Sequence, residues 1–151
     1  MSKLLSYDDI CLTPKMSECL SRKECDTSKE FLGFSFKLPI MPSNMKSVID
    51  ETWAKFLSDN GYLYSMHRFD IDIQKFIENC NRENFKLISA SFGVKAHDMR
   101  IIDNLASSGA RLDIATIDIA HGHCKSMKTM IEYFKQRLPD TKIIGGNVAT
   151  P

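Results

Sequence analysis

Long apolar runs and an excess of one charge sign are both missing from this sequence. The 151 residues include 20 basic and 19 acidic side chains, for a formal net charge of +1. Balanced charge argues against a nucleic-acid or membrane-surface partner. No apolar stretch reaches the roughly 20 residues that a membrane-spanning helix needs. We therefore expect neither nucleic acid nor membrane among the partners.

Paired-cysteine motifs are missing as well. The five cysteines, an odd number, form no C-x-x-C pair, which is typical of free thiols in a reducing cytosol. Asp8 and Asp9 interrupt the first residues before a signal-peptide core can form. These features predict a cytoplasmic protein. No G-x-G-x-x-G or Walker pattern occurs either, so a Rossmann or P-loop interpretation lacks its defining residues.

Short apolar runs alternate with helical patterns past residue 37. The runs are 38–43, 61–66, 86–92, 113–118 and 141–147. Crossover connections this short and helical require parallel strands, so we expect an α/β fold with one parallel sheet. Residues 1–37 lack the alternation and are expected to form an N-terminal arm.

Four helices are expected between the runs, each with its apolar stripe facing the core. The stripes consist of Trp53, Phe56 and Leu57; Ile73, Phe76, Ile77 and Cys80; Met99, Ile102 and Ala106; and Met127, Met130, Ile131, Phe134 and Leu138.

Polar or glycine-containing clusters follow each predicted strand. They are "SNM" (43–45), "MHR" (66–68), "SFGV" (91–94), "DIAHGH" (118–123) and "GGNVAT" (145–150). The carboxyl ends of parallel strands lie on one face of a sheet, and ligands bind there. The clusters are therefore expected to form the rim of one pocket.

Individual residues of this rim leave alternatives open. Zinc binding by His121, His123 and Cys124, with His67 nearby, is one hypothesis, but ligands this close on one loop seldom reach the same ion without strain. Cys124 as a nucleophile is another, although it falls where a helix begins. Asp118 either faces the pocket or caps a turn before the next helix, and the sequence alone does not separate these two.

An ordered set of motifs resembles the inosine monophosphate dehydrogenase and guanosine monophosphate reductase family. The set is "YDDICLTP", "LSRKECD", "LPIMPSNMKSV", "YSMHRFD", "TIDIAHGH" and "LPDTKIIGGNVAT". The reductase branch fits better, since "MHR" leaves no room for an inserted regulatory domain. The resemblance implies a partial (β/α)8 TIM barrel, with the arm at 1–37 and the first five strands of the catalytic domain at 38–151.

The resemblance also implies an activity and site residues. The activity is NADPH-dependent reductive deamination of GMP to IMP and ammonia, in a homotetramer. Ser43, Met45 and Asn147 match positions that face the nucleotide. The matches to cofactor-facing positions are Ser21, Arg22, Arg68, Asp118, Ile119 and Ala120.

Several family features have no match in this chain. The family's nucleophilic cysteine, its monovalent-cation loop and its later strands would lie beyond Pro151, and a full barrel takes about 250 residues. No catalytic residue and no metal ligand is therefore assigned here. We expect activity only when a complementing C-terminal half is present, and an aggregation-prone chain without it. The alternative is a non-catalytic nucleotide-binding or subunit-assembly module.

Overall fold

Strands and helices alternate along the chain in the computed structural model, which describes residues 5–150. Residues 1–4 of the predicted arm and Pro151 of the predicted barrel segment lie outside the described residues. Single-turn 3-10 helices occupy Tyr7–Asp9 and Arg22–Glu24. The elements that follow are β1 (Lys29–Phe31), β2 (Phe34–Phe36), α1 (Glu51–Asn60), α2 (Ile73–Arg82), β3 (Ser89–Phe92), α3 (Ala96–Ser108), β4 (Ile114–Asp118), α4 (Lys125–Arg137) and β5 (Lys142–Gly146).

The main sheet is parallel and has the order β3-β4-β5. Met66 extends it by one isolated bridge to Ala90. The backbone N–H of Met66 donates to the Ser89 carbonyl (3.0 Å), and the N–H of Ser91 donates to the Met66 carbonyl (2.8 Å). The predicted α/β class with a parallel sheet is confirmed. The partial (β/α)8 TIM barrel stays a prediction.

Two of the five predicted strands are not formed as expected. Residues 38–43 form no strand, because Pro39 and Pro42 remove backbone donors that a ladder needs. The segment 61–66 is reduced to the single bridge at Met66. The other three predicted runs contain β3, β4 and β5.

A hairpin that the sequence analysis missed forms inside the predicted arm. β1 and β2 pair antiparallel, with Lys29 opposite Phe36 and Phe31 opposite Phe34. The two-residue turn places Leu32 at φ 54° and Gly33 at φ 85°, as a primed hairpin turn requires. Leucine is uncommon at positive φ, so Gly33 is the only typical turn residue of this hairpin in the sequence.

Helix stripes pack against the sheet, with one exception. Ile73, Phe76, Ile77 and Cys80 of α2 are all buried as predicted. Phe134 of α4 is fully buried and meets Phe92 of β3 edge to face, with ring centroids 5.0 Å apart.

None of the helices within residues 5–150 combines the length and apolarity needed to cross a bilayer.

The exception is α1, where the predicted core-facing stripe is wrong at Trp53 and Phe56 and confirmed only at Leu57, which is half-buried and packs against the core. Trp53 and Phe56 are 54% and 49% exposed, and the two rings contact each other. The buried face carries Ala54 and Ser58 instead. Positions 54 and 58 are one helical turn apart, so they share a face. Small side chains there let the helix pack closely and leave the large rings outside.

Candidate functional site

Asp118, the last residue of β4, lies at the carboxyl end of the parallel sheet beside Asn44. The amide nitrogen of Asn44 donates to Asp118 Oδ2 at 3.1 Å and to the Ser91 hydroxyl of β3 at 2.9 Å. Asp118 does not cap α4, whose N-cap residue is Cys124. Of the two interpretations of Asp118, the geometry therefore favours a side chain that faces the rim.

A chain of buried hydroxyl groups lies beneath this contact. Ser65 Oγ lies 3.0 Å from Ser91 Oγ, and it donates to Thr116 Oγ1 at 2.9 Å. Ser65 and Ser91 are fully buried and Thr116 is 7% exposed. Buried polar groups cost free energy unless they are hydrogen-bonded. This network therefore fixes the side chain of Asn44 relative to both strands.

Arg68 brings a positive charge to the same end of the sheet. Its Nη2 donates to the backbone carbonyl of Asp118 at 3.2 Å, and its guanidinium lies over the Phe69 ring. Its Nε is buried and has no hydrogen-bond partner. An unsatisfied buried donor is costly and draws a water molecule or a ligand. Arg68 thus offers one polar atom that the described protein atoms leave unused.

Gly93 follows β3 and must stay small because acidic and basic side chains crowd it. A Cβ atom there would lie 2.9 Å from Asp98 Oδ2 and 3.5 Å from Arg68 Nη1. Asp98 is buried, and it accepts from the backbone N–H of Gly93 at 2.8 Å and of Lys95 at 3.1 Å. The carboxylate therefore closes the turn from β3 into α3.

Backbone hydrogen bonds continue past the ends of β4 and β5 and join their loops. Ile119 N–H donates to the Gly146 carbonyl (2.9 Å), and Asn147 N–H donates to the Ile119 carbonyl (2.7 Å). Gly122 N–H then donates to the Asn147 carbonyl at 2.8 Å. A Cβ at Gly122 would lie 2.7 Å from that carbonyl oxygen, so only glycine allows this approach.

These loop contacts place the family-matched positions 118–120 next to Asn147. Ala120 and Asn147 are exposed, whereas Asp118 and Ile119 are half-buried. Together they present polar backbone groups of two joined loops beside the carboxylate of Asp118. Sequence reasoning named all four positions but missed the close approach at Gly122.

Ser43 and Met45 flank Asn44 and are both exposed. The N–H of Met45 donates to the Ser43 carbonyl at 2.8 Å, which makes a tight bend. Met45 also lines an open cavity of 540 Å³ with Lys46, Ser47 and Phe69. Sequence reasoning included Asn44 in the rim cluster 43–45 but assigned a role only to the two residues that flank it.

Ser21 and Arg22 are exposed and bond within their own segment. The Ser21 hydroxyl caps the short 3-10 helix by accepting from Lys23 N–H at 3.3 Å. The described hydrogen bonds join neither residue to the strand ends.

The zinc hypothesis finds no support in the described residues. His121 and His123 are exposed, while His67 is buried and its Nδ1 accepts from the Phe69 N–H at 3.2 Å. Within residues 5–150, no three His, Cys, Asp or Glu side chains are arranged to hold a metal ion.

Cys124 differs from an ordinary surface cysteine. Hydrogen bonds from the Ser126 side chain, 3.1 Å from the sulfur, and from the backbone of Met127 lower the pKa of its thiol. Both contacts favour the thiolate because an ionised sulfur at the first turn of α4 accepts hydrogen bonds from these groups. The described hydrogen bond of the side chain goes to a serine rather than to a histidine, so the described residues form no Cys–His pair at this position.

The parallel sheet, with its polar rim at the carboxyl ends of the strands, defines an α/β protein with one candidate ligand site. A family model described as "IMP dehydrogenase / GMP reductase domain" matches residues 4–151, and the chain belongs to this family.

Curated relatives that carry the name GMP reductase agree with this assignment. The chain is 48% identical to one from Leptothrix cholodnii and 44% identical to one from Variovorax paradoxus, each over 149 residues. A Mycoplasma mycoides relative is 43% identical over 150 residues. The alignments cover 99% of this chain and 46% to 47% of each relative. The chain therefore spans about half the length of the curated relatives it matches.

Proposed function

We propose that this chain forms the nucleotide- and cofactor-facing part of a GMP reductase, which reductively deaminates GMP to IMP and ammonia with NADPH. The observation that carries the proposal is the contact between Asn44 and Asp118 at the carboxyl ends of the strands. This contact joins the bend at 43–45, which resembles the family's nucleotide-facing segment, to the stretch at 118–120, which resembles its cofactor-facing segment, and so supports the proposal. A reaction between a nucleotide and a nicotinamide needs these two surfaces side by side.

In this proposal, Ser43, Met45 and Asn147 contact the purine nucleotide. Their exposure and the open cavity beside Met45 support a ligand-facing role. Arg68 would offer its guanidinium charge to the anionic cofactor from the same end of the sheet, since a guanidinium suits phosphate oxygens.

The residues at 118–120 fit the nicotinamide cofactor, because the half-buried carboxylate of Asp118 and the exposed backbone at Ala120 offer polar groups beside apolar Ile119. NADPH supplies the hydride when bound. Ser21 and Arg22 would meet the adenosine end of the cofactor from a neighbouring subunit of a tetramer. Their position on an exposed turn supports a contact between subunits.

The remaining parts are proposed to come from sequence not represented in these 151 residues. They are the nucleophilic cysteine, the monovalent-cation loop and the strands that complete a (β/α)8 barrel. The half-length match to the curated relatives supports this division.

The test combines this chain with a polypeptide that carries the remainder of the family domain. GMP-dependent oxidation of NADPH is followed by the loss of nicotinamide absorbance. We expect turnover from the complex and a loss of about tenfold or more in kcat/KM for Asp118→Ala, because the cofactor-facing carboxylate is then missing. Asp103→Asn is the matched control, since Asp103 bonds Tyr133 and Arg137 on the outer helices.

Two results would contradict the proposal. One is a folded wild-type complex that binds both ligands without turnover, which would instead favour the non-catalytic nucleotide-binding module. The other is equal loss of activity for Asp118→Ala and the control.

A further inference from the structure

Two cysteines face each other across the short 3-10 helix Arg22–Glu24. Cys19 Sγ lies 3.6 Å from Cys25 Sγ, and both side chains are exposed and reduced. Disulfide sulfurs are about 2.05 Å apart, so the two sulfurs need to approach by about 1.5 Å. A small rotation of two exposed side chains covers this distance.

The turn between them holds the pair together. Glu24 N–H donates to the Ser21 carbonyl at 3.0 Å, and Cys25 N–H donates to the Arg22 carbonyl at 3.3 Å. The Glu24 carboxylate accepts from Leu20 N–H at 3.2 Å. These bonds close the loop before any covalent bond forms, so little further chain entropy is lost on cross-linking.

We propose that Cys19 and Cys25 form a dithiol modification site, which a low-molecular-weight disulfide such as glutathione disulfide oxidises to an intramolecular disulfide. One cysteine thiolate attacks a sulfur of glutathione disulfide, forms a mixed disulfide and releases one glutathione thiolate. The second cysteine attacks the protein sulfur of that mixed disulfide and releases the second glutathione. Two electrons pass from the cysteines to the reagent, and the two thiol protons end on the released glutathiones.

The second step is intramolecular, and this makes the pair different from a single thiol. A neighbouring thiol 3.6 Å away resolves the mixed disulfide at an effective concentration far above that of free thiols in solution. The product encloses Arg22 and Lys23 in a ring closed by residues 19 and 25. The site follows from the geometry of the turn and does not depend on the proposed reductase activity.

Peptide mapping tests the proposal directly. The folded chain is treated with glutathione disulfide at low protein concentration, blocked with an alkylating agent and digested with trypsin without reduction. Cleavage after Lys15, Arg22, Lys23 and Lys29 places Cys19 in peptide 16–22 and Cys25 in peptide 24–29. We expect these two peptides to appear joined, with the loss of two hydrogen atoms, and to separate on reduction.

Single substitutions provide the controls. Cys25→Ser removes the resolving thiol, so Cys19 should keep its glutathione. Cys11→Ser should leave the joined peptide unchanged, since Cys11 lies in a different tryptic peptide. Wild-type protein that carries glutathione on both cysteines would overturn the proposal, as would peptides joined only between chains.

Discussion

Removal of the Asn44 amide should destabilise the strand-end network measurably. Asn44→Ala deletes the donor that reaches both Asp118 Oδ2 at 3.1 Å and Ser91 Oγ at 2.9 Å. Hydrogen bonds to charged groups contribute about 1.5–3 kcal/mol, and neutral ones about 1 kcal/mol. Both contacts are partly buried, so solvent replaces them only in part. We expect a loss of about 2–3 kcal/mol in the free energy of unfolding.

Urea denaturation of the purified chain measures this loss at a protein concentration low enough to keep the chain monomeric. With an m-value of about 2 kcal/mol/M for a domain of this size, the midpoint should fall by about 1–1.5 M while m stays constant. Asn60→Ala is the matched control. Its amide donates at 2.8 Å to the carbonyl of Phe56 in its own helix, and its loss should cost within about 0.5 kcal/mol.

A double-mutant cycle separates the contact with Asp118 from other effects. The double variant should lose less free energy of unfolding than the sum of the losses for Asn44→Ala and Asp118→Ala. The expected coupling energy is about 1 kcal/mol or more. Additivity within about 0.3 kcal/mol would refute the inference that Asn44 and Asp118 hold the two loops together. A stable Asn44→Ala protein would refute it as well.

Three further predictions concern the core, the loop after β4 and the thiol of Cys124. Phe134→Ala removes a fully buried ring and should lower the free energy of unfolding, measured in urea, by about 3–5 kcal/mol. Phe56→Ala removes a ring that is 49% exposed and should lower it by less than about 1 kcal/mol. Equal losses for the two variants would contradict the packing. Gly122→Ala places its Cβ 2.7 Å from a backbone oxygen and should lower the melting temperature, whereas Gly146→Ala meets nothing within 4 Å and should not. Alkylation of Cys124 by iodoacetamide should rise with pH and level off below the pH of an ordinary thiol, because its pKa is lowered; the profile of a free cysteine peptide would contradict this.

Local pattern was enough to predict the class of fold and one helix face in full. The α2 stripe at Ile73, Phe76, Ile77 and Cys80 is buried, since four apolar side chains at helical spacing leave no other face for the core. The three parallel strands followed from the alternation of short runs and helices. Both inferences rest on neighbours that are close in sequence.

The errors arose where distant residues decide the outcome. Trp53 and Phe56 are apolar and correctly spaced, but their helix buries Ala54 and Ser58 instead. The Ser58 hydroxyl accepts from the Leu87 N–H at 3.0 Å, a contact across 29 positions of sequence. Asn44 reaches Asp118 across 74 positions of sequence, and no local pattern records that contact. The direction of parallel strands predicts that the polar clusters lie at one end of the sheet. It does not predict which of their side chains are hydrogen-bonded to each other.

The last prediction concerns β5, whose outer edge has no strand partner among residues 5–150. Its apolar residues Ile143 and Ile144 are only half-buried, and an apolar edge with free backbone groups is a template for pairing with another chain. We expect the isolated chain 1–151 to self-associate, with a weight-average mass in sedimentation velocity that rises with protein concentration. Addition of a polypeptide with the remaining part of the family domain should suppress this association by covering the edge. A monodisperse monomer with a sharp cooperative melt at every concentration would show that residues near β5 protect the edge unaided.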